Sequence, residues 1–126
     1  MTNQEAFDKM MNHIRSLPER NVNRMGNCVY NESMCAIGSL LTDEEQEAYG
    51  DSHRSVKGLL NDMERDGHTS ALHSLDVRLL SEMQRLHDSE SNWYPKTGFS
   101  YYGEIIAKDL SDEYGLVYTA PVSEGT

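Results

Sequence analysis

Residues 2–18, TNQEAFDKMMNHIRSLP, predict the first helix and set the pattern for the rest of the chain. Thr2 and Glu5 fit a capping box, in which the threonine hydroxyl and the glutamate carboxylate satisfy early backbone donors. Pro18 ends the helix, because proline has no amide hydrogen to donate. Between these signals the apolar side chains recur at helical spacing and share one face; they are Phe7, Met10, Met11, Ile14 and Leu17.

The same signals predict two helices in the middle of the chain. Thr42 and Glu45 form a second capping-box pattern, and the short helix that follows them ends near Gly50. Ser55 can cap a third helix, and Gly67 provides its stop. The side chains that this third helix turns toward the core are Val56, Leu59, Leu60 and Met63.

Two apolar stripes predict the remaining helices. A fourth helix begins near Ser74, and a last helix runs from Phe99 to Gly115. Residues 88–98 between them are predicted to form a loop. The stripe of the fourth helix consists of Leu72, Leu75, Leu79, Met83 and Leu86. The stripe of the last helix consists of Tyr102, Ile105, Ile106 and Leu110.

The stretch NCVYNESMCAIGSLL, residues 27–41, predicts a short β-hairpin. Its strands are residues 29–30 and 34–37, on either side of the turn-rich centre Asn-Glu-Ser at 31–33. The alternative is a strand that leads directly into a helix over residues 35–41. In both alternatives the chain continues from this stretch into the short acidic helix that follows Thr42.

The sequence therefore predicts an α+β fold that is predominantly helical, with about five helices and a short β-hairpin. Residues 116–118, Leu-Val-Tyr, could return as a third short strand beside the hairpin. We expect a single globular domain over residues 1–119, because 126 residues suffice for one hydrophobic core. Residues 120–126 are expected to form a flexible C-terminal tail.

The two cysteines, Cys28 and Cys35, are the candidate metal ligands of the chain. Six residues separate them, which is longer than the spacing of a structural zinc knuckle, and no histidine lies near them in sequence. A disulfide is disfavoured in a reducing compartment. Two free, largely buried thiols are the simpler interpretation. We expect no cofactor, and a metal, if one is bound, would use Cys28 and Cys35.

The charge of the chain is strongly acidic and unevenly distributed. The net charge is -10, and residues 32–51 contain six acids and no lysine or arginine. Such a balance argues against direct nucleic-acid binding and against anionic membranes. It favours a protein partner with a basic surface, although acidic residues also simply keep a small protein soluble. The candidate partner-binding acids are Asp43, Glu44, Glu45, Glu47 and Asp51.

Aromatic residues concentrate in SNWYPKTGFSYY, residues 91–102. Aromatic side chains in an irregular loop are typical of interaction hot spots. The alternative is a loop that packs over the helical core. Tyr101 and Tyr102 cannot both face the core from one helix, so we expect one of them to be exposed. The candidate partner-binding residues of this segment are Trp93, Tyr94 and Tyr101.

The chain contains none of the common catalytic motifs, such as a nucleophile elbow, a phosphate-binding loop or a paired carboxylate. His87 and Asp88 could pair a base with an orienting carboxylate. A histidine near a helix C-terminus is more simply explained by the helix dipole. We therefore expect a protein that is not an enzyme.

Five short motifs are distributed along the chain: Ala6-Phe7, Cys28-Val-Tyr30, Cys35-Ala-Ile-Gly38, Leu79-Leu80-x-x-Met83-Gln-x-Leu86-His87-Asp88 and Tyr114-Gly115-Leu116. Together they resemble a family of small phage and prophage proteins of uncharacterised function. The match spans nearly the whole chain, and the Cys-Ala-Ile-Gly run is its most specific part. The resemblance implies no catalytic residues.

This resemblance implies a small acidic accessory protein that binds a host protein and inhibits or modulates it. The host protein would belong to defence or nucleic-acid-handling machinery, and partial charge mimicry of nucleic acid would fit the acidic surface. The location would be the cytoplasm of the infected bacterium. The alternative is a zinc-stabilised Cys/His domain, a small enzyme or a small-molecule binder. The oligomeric state and the partner's identity stay open.

Overall fold

The computed structural model describes residues 1–17, 36–50, 52, 54–94 and 97–121. These ranges form an α+β fold, as predicted. Among the described helices, none has the length and apolarity that a bilayer crossing requires. The helices are α1 (Asn3–Ser16), α2 (Asp43–Tyr49), α3 (Val56–Arg65), α4 (Val77–Asp88) and α5 (Tyr101–Glu113). The strands β1 (Trp93–Tyr94) and β2 (Gly98–Phe99) form an antiparallel hairpin.

The predicted helix starts at the N-terminus and in the middle of the chain are confirmed. At α1, the Thr2 hydroxyl accepts from the Glu5 amide at 3.1 Å, and the Glu5 carboxylate accepts from the Thr2 amide at 3.0 Å. Thr42 and Glu45 repeat this arrangement at α2. Gly67 follows α3 with a φ of 76°, a conformation that favours glycine.

The predicted start of the fourth helix near Ser74 is wrong. A short 3-10 turn occupies Ala71–Ser74, and α4 begins at Val77 after Asp76. The Asp76 carboxylate caps α4 by accepting from the amides of Arg78 at 2.8 Å and Leu79 at 3.3 Å. The leucine stripe continued across this break because a 3-10 turn also places every third residue on one side.

The hydrophobic core forms where α4 packs against α1, α3 and α5. Burial of apolar side chains is the main favourable term in folding. The fully buried core side chains include Phe7, Met10, Met11 and Ile14 from α1, Leu59 and Met63 from α3, and Leu79, Leu80, Met83 and Leu86 from α4.

The β-hairpin occupies a different position from the one that the sequence predicted. Its strands are residues 93–94, within the predicted loop, and residues 98–99, where that loop was predicted to lead into the last helix, whereas residues 29–35 of the predicted hairpin lie outside the described part of the chain. Ala36 and Ile37 form a turn before a 3-10 turn at Gly38–Leu40, so the end of the predicted second strand is wrong.

Residues 116–118 form no strand. The Val117 amide instead donates to Gln4 Oε1 at 2.8 Å, and Gln4 Nε2 donates to the Val117 carbonyl at 3.0 Å. The glutamine amide thereby satisfies both backbone groups that a neighbouring strand would have paired. The predicted tail begins at Ala120, and residues 122–126 lie outside the described ranges.

The inward face of helix α5 agrees with the predicted stripe only in part, since Leu110 is buried and Ile106 packs against the core as predicted. Tyr102 and Ile105 were expected in the core, yet they are 54% and 44% exposed. The buried face instead carries Gly103, because α5 approaches the hairpin closely at this point. A Cβ atom on Gly103 would lie 2.5 Å from Phe99 Cζ and 2.9 Å from the carbonyl oxygen of Asn92.

We expect Gly103→Ala to lower the free energy of unfolding by about 1–3 kcal/mol, because the added methyl group meets the partly buried ring of Phe99 and the backbone carbonyl of Asn92. Gly58→Ala in α3 is the matched control, since the atom nearest to its new Cβ is Nε of the Arg54 side chain at 2.8 Å, which can move. The control should change stability by less than about 1 kcal/mol, because alanine is the better helix former. Urea denaturation measures both variants. Equal stability of the two variants would contradict the close approach at Gly103.

Candidate interaction surface

The candidate partner-binding residues divide into three groups in the structure. Asp43, Glu44 and Glu47 are exposed on α2, and Tyr94 and Tyr101 are exposed at the hairpin and the start of α5. The two buried candidates are Glu45 and Trp93. The last candidate, Asp51, lies outside the described residues, as do Cys28 and Cys35.

Asp43, Glu44 and Glu47 form what we call the acidic surface. They occupy the first and second turns of α2, where negative charge stabilises the positive end of the helix dipole. In the described part of the chain, no side chain pairs with any of the three carboxylates. The acidic surface therefore presents to a partner three adjacent negative charges that no cation in the described ranges compensates.

Glu45 is a packing residue, so its predicted role as an exposed partner-binding acid is wrong. Only 4% of it is exposed, because its carboxylate turns inward to the capping box and to His68 Nε2 at 2.7 Å. Burial raises the pKa of Glu45, but hydrogen bonds from the Thr42 amide, His68 and Ser70 outweigh burial and hold that pKa below its ordinary value. Glu45 thus anchors α2 to the segment after α3.

The depressed pKa of Glu45 predicts a pH-dependent loss of stability. The ionised carboxylate stabilises the fold above its ordinary pKa of 4.5, and this contribution disappears as the pH falls through the lower folded value. We expect Glu45→Gln to lower the free energy of unfolding by about 1 kcal/mol at pH 7, with the difference vanishing in acid. Urea denaturation between pH 7 and about pH 3 tests this expectation.

The matched control for this experiment is Glu5→Gln, which alters the same capping motif at an exposed position. Its effect at pH 7 should be smaller, since Glu5 has no counterpart to His68. A Glu45→Gln protein that is as stable as the unaltered protein at pH 7 would contradict the anchoring role.

Trp93 packs into the core, and its predicted role as an exposed hot-spot residue is wrong. It is 8% exposed, and its indole Nε1 donates to the carbonyl of His87 at 2.7 Å. Its ring meets the rings of His87 and Phe99 edge to face, with centroids 5.7 and 5.2 Å apart. The alternative of a loop packed over the helical core therefore holds for Trp93.

Three tyrosines and one isoleucine from the hairpin and α5 form an exposed patch, which we call the aromatic surface. It consists of Tyr94, Tyr101, Tyr102 and Ile105, which are 50%, 73%, 54% and 44% exposed. The Tyr94 hydroxyl accepts from the Tyr101 amide at 3.4 Å, which joins the hairpin to α5. One exposed tyrosine was expected at positions 101 and 102, and both are exposed.

The backbone beneath the aromatic surface is held by several hydrogen bonds. The Ser100 amide donates to the Asn92 carbonyl at 2.7 Å, and the Ser100 hydroxyl caps α5 by accepting from the Gly103 amide at 3.0 Å. The Asn92 side chain donates to the Leu86 carbonyl at 3.0 Å. This support lowers the entropy that the aromatic surface would lose on binding a partner.

A partly buried ion pair joins α1 to α5. Arg15 donates to both carboxylate oxygens of Glu104, at 2.9 and 2.7 Å, and its guanidinium lies 5.6 Å from the centre of the Tyr118 ring. The Tyr118 hydroxyl also donates to Glu104 at 2.6 Å. The sequence did not predict this cluster, because Glu104 lies between the tyrosines and isoleucines that were predicted to face inward.

Burial and the hydrogen bond to Glu104 raise the pKa of Tyr118 to about 12. We expect the alkaline absorbance titration of the folded protein to show a last tyrosine step near this pH, and Tyr118→Phe to remove it. Tyr49→Phe, which removes another tyrosine of raised pKa, should leave that step in place. Circular dichroism at the same pH values verifies that the chain stays folded. A Tyr118→Phe protein that retains the last step would contradict the assignment.

The His87–Asp88 pair and the placement of possible metal ligands bear on catalysis and metal binding. His87 Nδ1 lies 2.8 Å from Asp88 Oδ1, and His87 is fully buried against Trp93. In the structure His87 thus contributes to the packing beside Trp93. Across the ranges that the structure describes, three or more His, Cys, Asp or Glu side chains nowhere meet in a group that could hold a metal.

No family model matches the chain, and neither a curated protein nor a solved structure is significantly similar to it. The resemblance to phage and prophage proteins stays a prediction. The acidic surface and the aromatic surface are therefore the features on which a proposal for the function rests.

Proposed function

We propose that this protein is a small acidic accessory protein of phage type that binds a host protein and inhibits or modulates it. The observation that carries the proposal is the acidic surface, where Asp43, Glu44 and Glu47 are exposed and uncompensated by described cations. The partner is a protein with a basic surface, within host defence or nucleic-acid-handling machinery. The setting is the cytoplasm of the infected bacterium.

Electrostatics supports a basic protein partner. The net charge of -10 repels nucleic acid and anionic lipid, and it attracts a cationic surface over the distance of a Debye length. On α2 the three exposed carboxylates lie on adjacent turns and form a short row of negative charges. The phosphates of a nucleic-acid strand also form a row of negative charges. Partial charge mimicry would let the protein occupy a groove that normally binds nucleic acid.

The aromatic surface supports binding as the activity. Tyrosine contributes a large contact area with few rotatable bonds, and it is enriched among the residues that dominate binding energy. Tyr94, Tyr101 and Tyr102 lie together on a backbone that hydrogen bonds hold in place. Electrostatic attraction would speed association, while the tyrosines would slow dissociation.

A quantitative capture experiment from bacterial lysate tests the proposal. The protein in which Asp43, Glu44 and Glu47 are all changed to Lys should retain at least about tenfold less of its specific partner. The control changes three exposed acids on other elements to Lys and alters the net charge equally; these are Asp8, Glu64 and Asp112. The control should retain the partner.

Thermal unfolding verifies that both variants are folded, because lysine at a helix start opposes the dipole. A variant with Asp43→Asn, Glu44→Gln and Glu47→Gln, which opposes the dipole less, should also capture less partner. Equal capture by the acidic-surface variants and the control would refute a binding role for this surface.

A further inference from the structure

The groove between α4 and α5 has the size of a side-chain site. Its apolar lining includes Leu86, Ile106 and Leu110, and Tyr102 stands at its side. Its volume is about 180 Å³, below the roughly 300–1,000 Å³ that is typical of small-molecule pockets. A groove of this volume suits one side chain of a protein partner better than a whole metabolite.

The residues of the groove match the chemistry of an arginine side chain. An aliphatic stem can pack on Ile106 and Leu110, and the face of a tyrosine attracts a guanidinium. Glu82 also lines the groove, and its carboxylate can accept two parallel hydrogen bonds from a guanidinium. Lysine could use the stem and the charge, but it lacks the planar donor pair.

The protein already binds one of its own arginines with this combination of groups. Arg15 lies on the ring of Tyr118 and donates two hydrogen bonds to the carboxylate of Glu104. Tyr102 and Glu82 offer the same pair of groups, a tyrosine ring and a glutamate, at the open groove. The internal cluster thus provides a template for the external site.

The carboxylate of Glu82 can exchange its present ion pair for one with the guanidinium of a partner. Its present partner is Arg85, one turn away on α4, at 3.6 Å, and the Arg85 side chain is 74% exposed. Exposed ion pairs of this kind contribute roughly 0–1 kcal/mol, so an arriving guanidinium can displace Arg85. Glu90 and Asp109 lie next to lining residues of the groove, and neither forms an ion pair with a described residue.

We propose that the groove between α4 and α5 binds an arginine side chain from a basic segment of the partner protein. Tyr102 contacts the guanidinium face, Glu82 accepts its hydrogen bonds, and Ile106 packs on its stem. This inference rests on the proposed function, since it specifies which residue type of a basic partner the protein recognises. Arg85 also lines the groove and balances Glu82, so the negative charge that complements such a segment is that of Glu90 and Asp109 beside the groove.

A peptide titration followed by nuclear magnetic resonance tests the inference on the full chain. The probe is an acetylated and amidated peptide of alternating glycine and arginine, and its counterpart has lysine in place of arginine. We expect the amide signals of Leu86, Tyr102 and Ile106 to shift, and the arginine peptide to bind at least roughly threefold more tightly than the lysine peptide.

Single variants locate the site. Tyr102→Ala and Glu82→Gln should each weaken binding of the arginine peptide by roughly fivefold, while Tyr102→Phe, which keeps the ring, should bind normally. Tyr101→Ala and Glu44→Gln remove an exposed tyrosine and an exposed acid outside the groove, and should leave binding unchanged. Signals that shift at the acidic surface instead, equal binding of both peptides, or normal binding by Tyr102→Ala would overturn the inference.

The outcomes separate this inference from the proposed function. Loss of partner capture on changing the acidic surface, together with an unresponsive groove, would overturn the arginine site alone. An arginine peptide that binds the groove, together with unchanged capture by the acidic-surface variants, would refute the proposed function and leave the groove's selectivity established.

Discussion

The ion pair between Arg15 and Glu104 joins α1 to α5, and the exposed surfaces of α5 depend on the orientation that this contact helps to stabilise. Both charged groups are largely withdrawn from water, so each requires the other and its hydrogen bonds. Removing one partner of a buried pair leaves an uncompensated charge, which costs several times more than losing an exposed pair. Tyr118 completes the cluster and brings the C-terminal segment onto the same two helices.

The close packing of the hairpin reinforces this orientation. Phe99 and Asn92 leave no room for a side chain at Gly103, so α5 can approach only with this glycine inward. Helical geometry then places Tyr101 and Ile105 outward, while Tyr102 borders the groove beside α4. The exposure of the tyrosines therefore follows from packing on the opposite face of α5 and from the burial of Trp93 on the inner side of the hairpin.

Residues of one chemical type have opposite roles in this protein according to their position. Glu45 and Glu104 are buried and hold elements together, whereas Glu44 and Glu47 project into solvent on α2. The buried carboxylates accept hydrogen bonds from Arg15 and from His68. The exposed ones have no described cation beside them, and their charge acts on what approaches the molecule. The number of acidic residues in the sequence therefore overstates the number of carboxylates that a partner meets.

The helices whose signals are local could be predicted from the sequence alone. Capping boxes at Thr2 and Thr42 and apolar side chains three or four positions apart lie within a few residues of each other, so their pattern is sufficient to predict a helix. The exposed acids of α2 were also predictable, because a charged first turn is a local feature. The start of α4 was misplaced since a 3-10 turn and an α-helix produce similar short-range spacing.

Which side chains are buried where distant segments meet could be seen only in the folded structure. Arg15 and Glu104 are 89 positions apart, and Glu45 and His68 are 23 apart, so no local period records either contact. The inward face of α5 depends on Gly103 against Phe99, and the burial of Trp93 depends on the end of α4. Burial of a charged or aromatic group is favourable only when a partner from elsewhere in the chain satisfies it, and the folded chain supplies that partner.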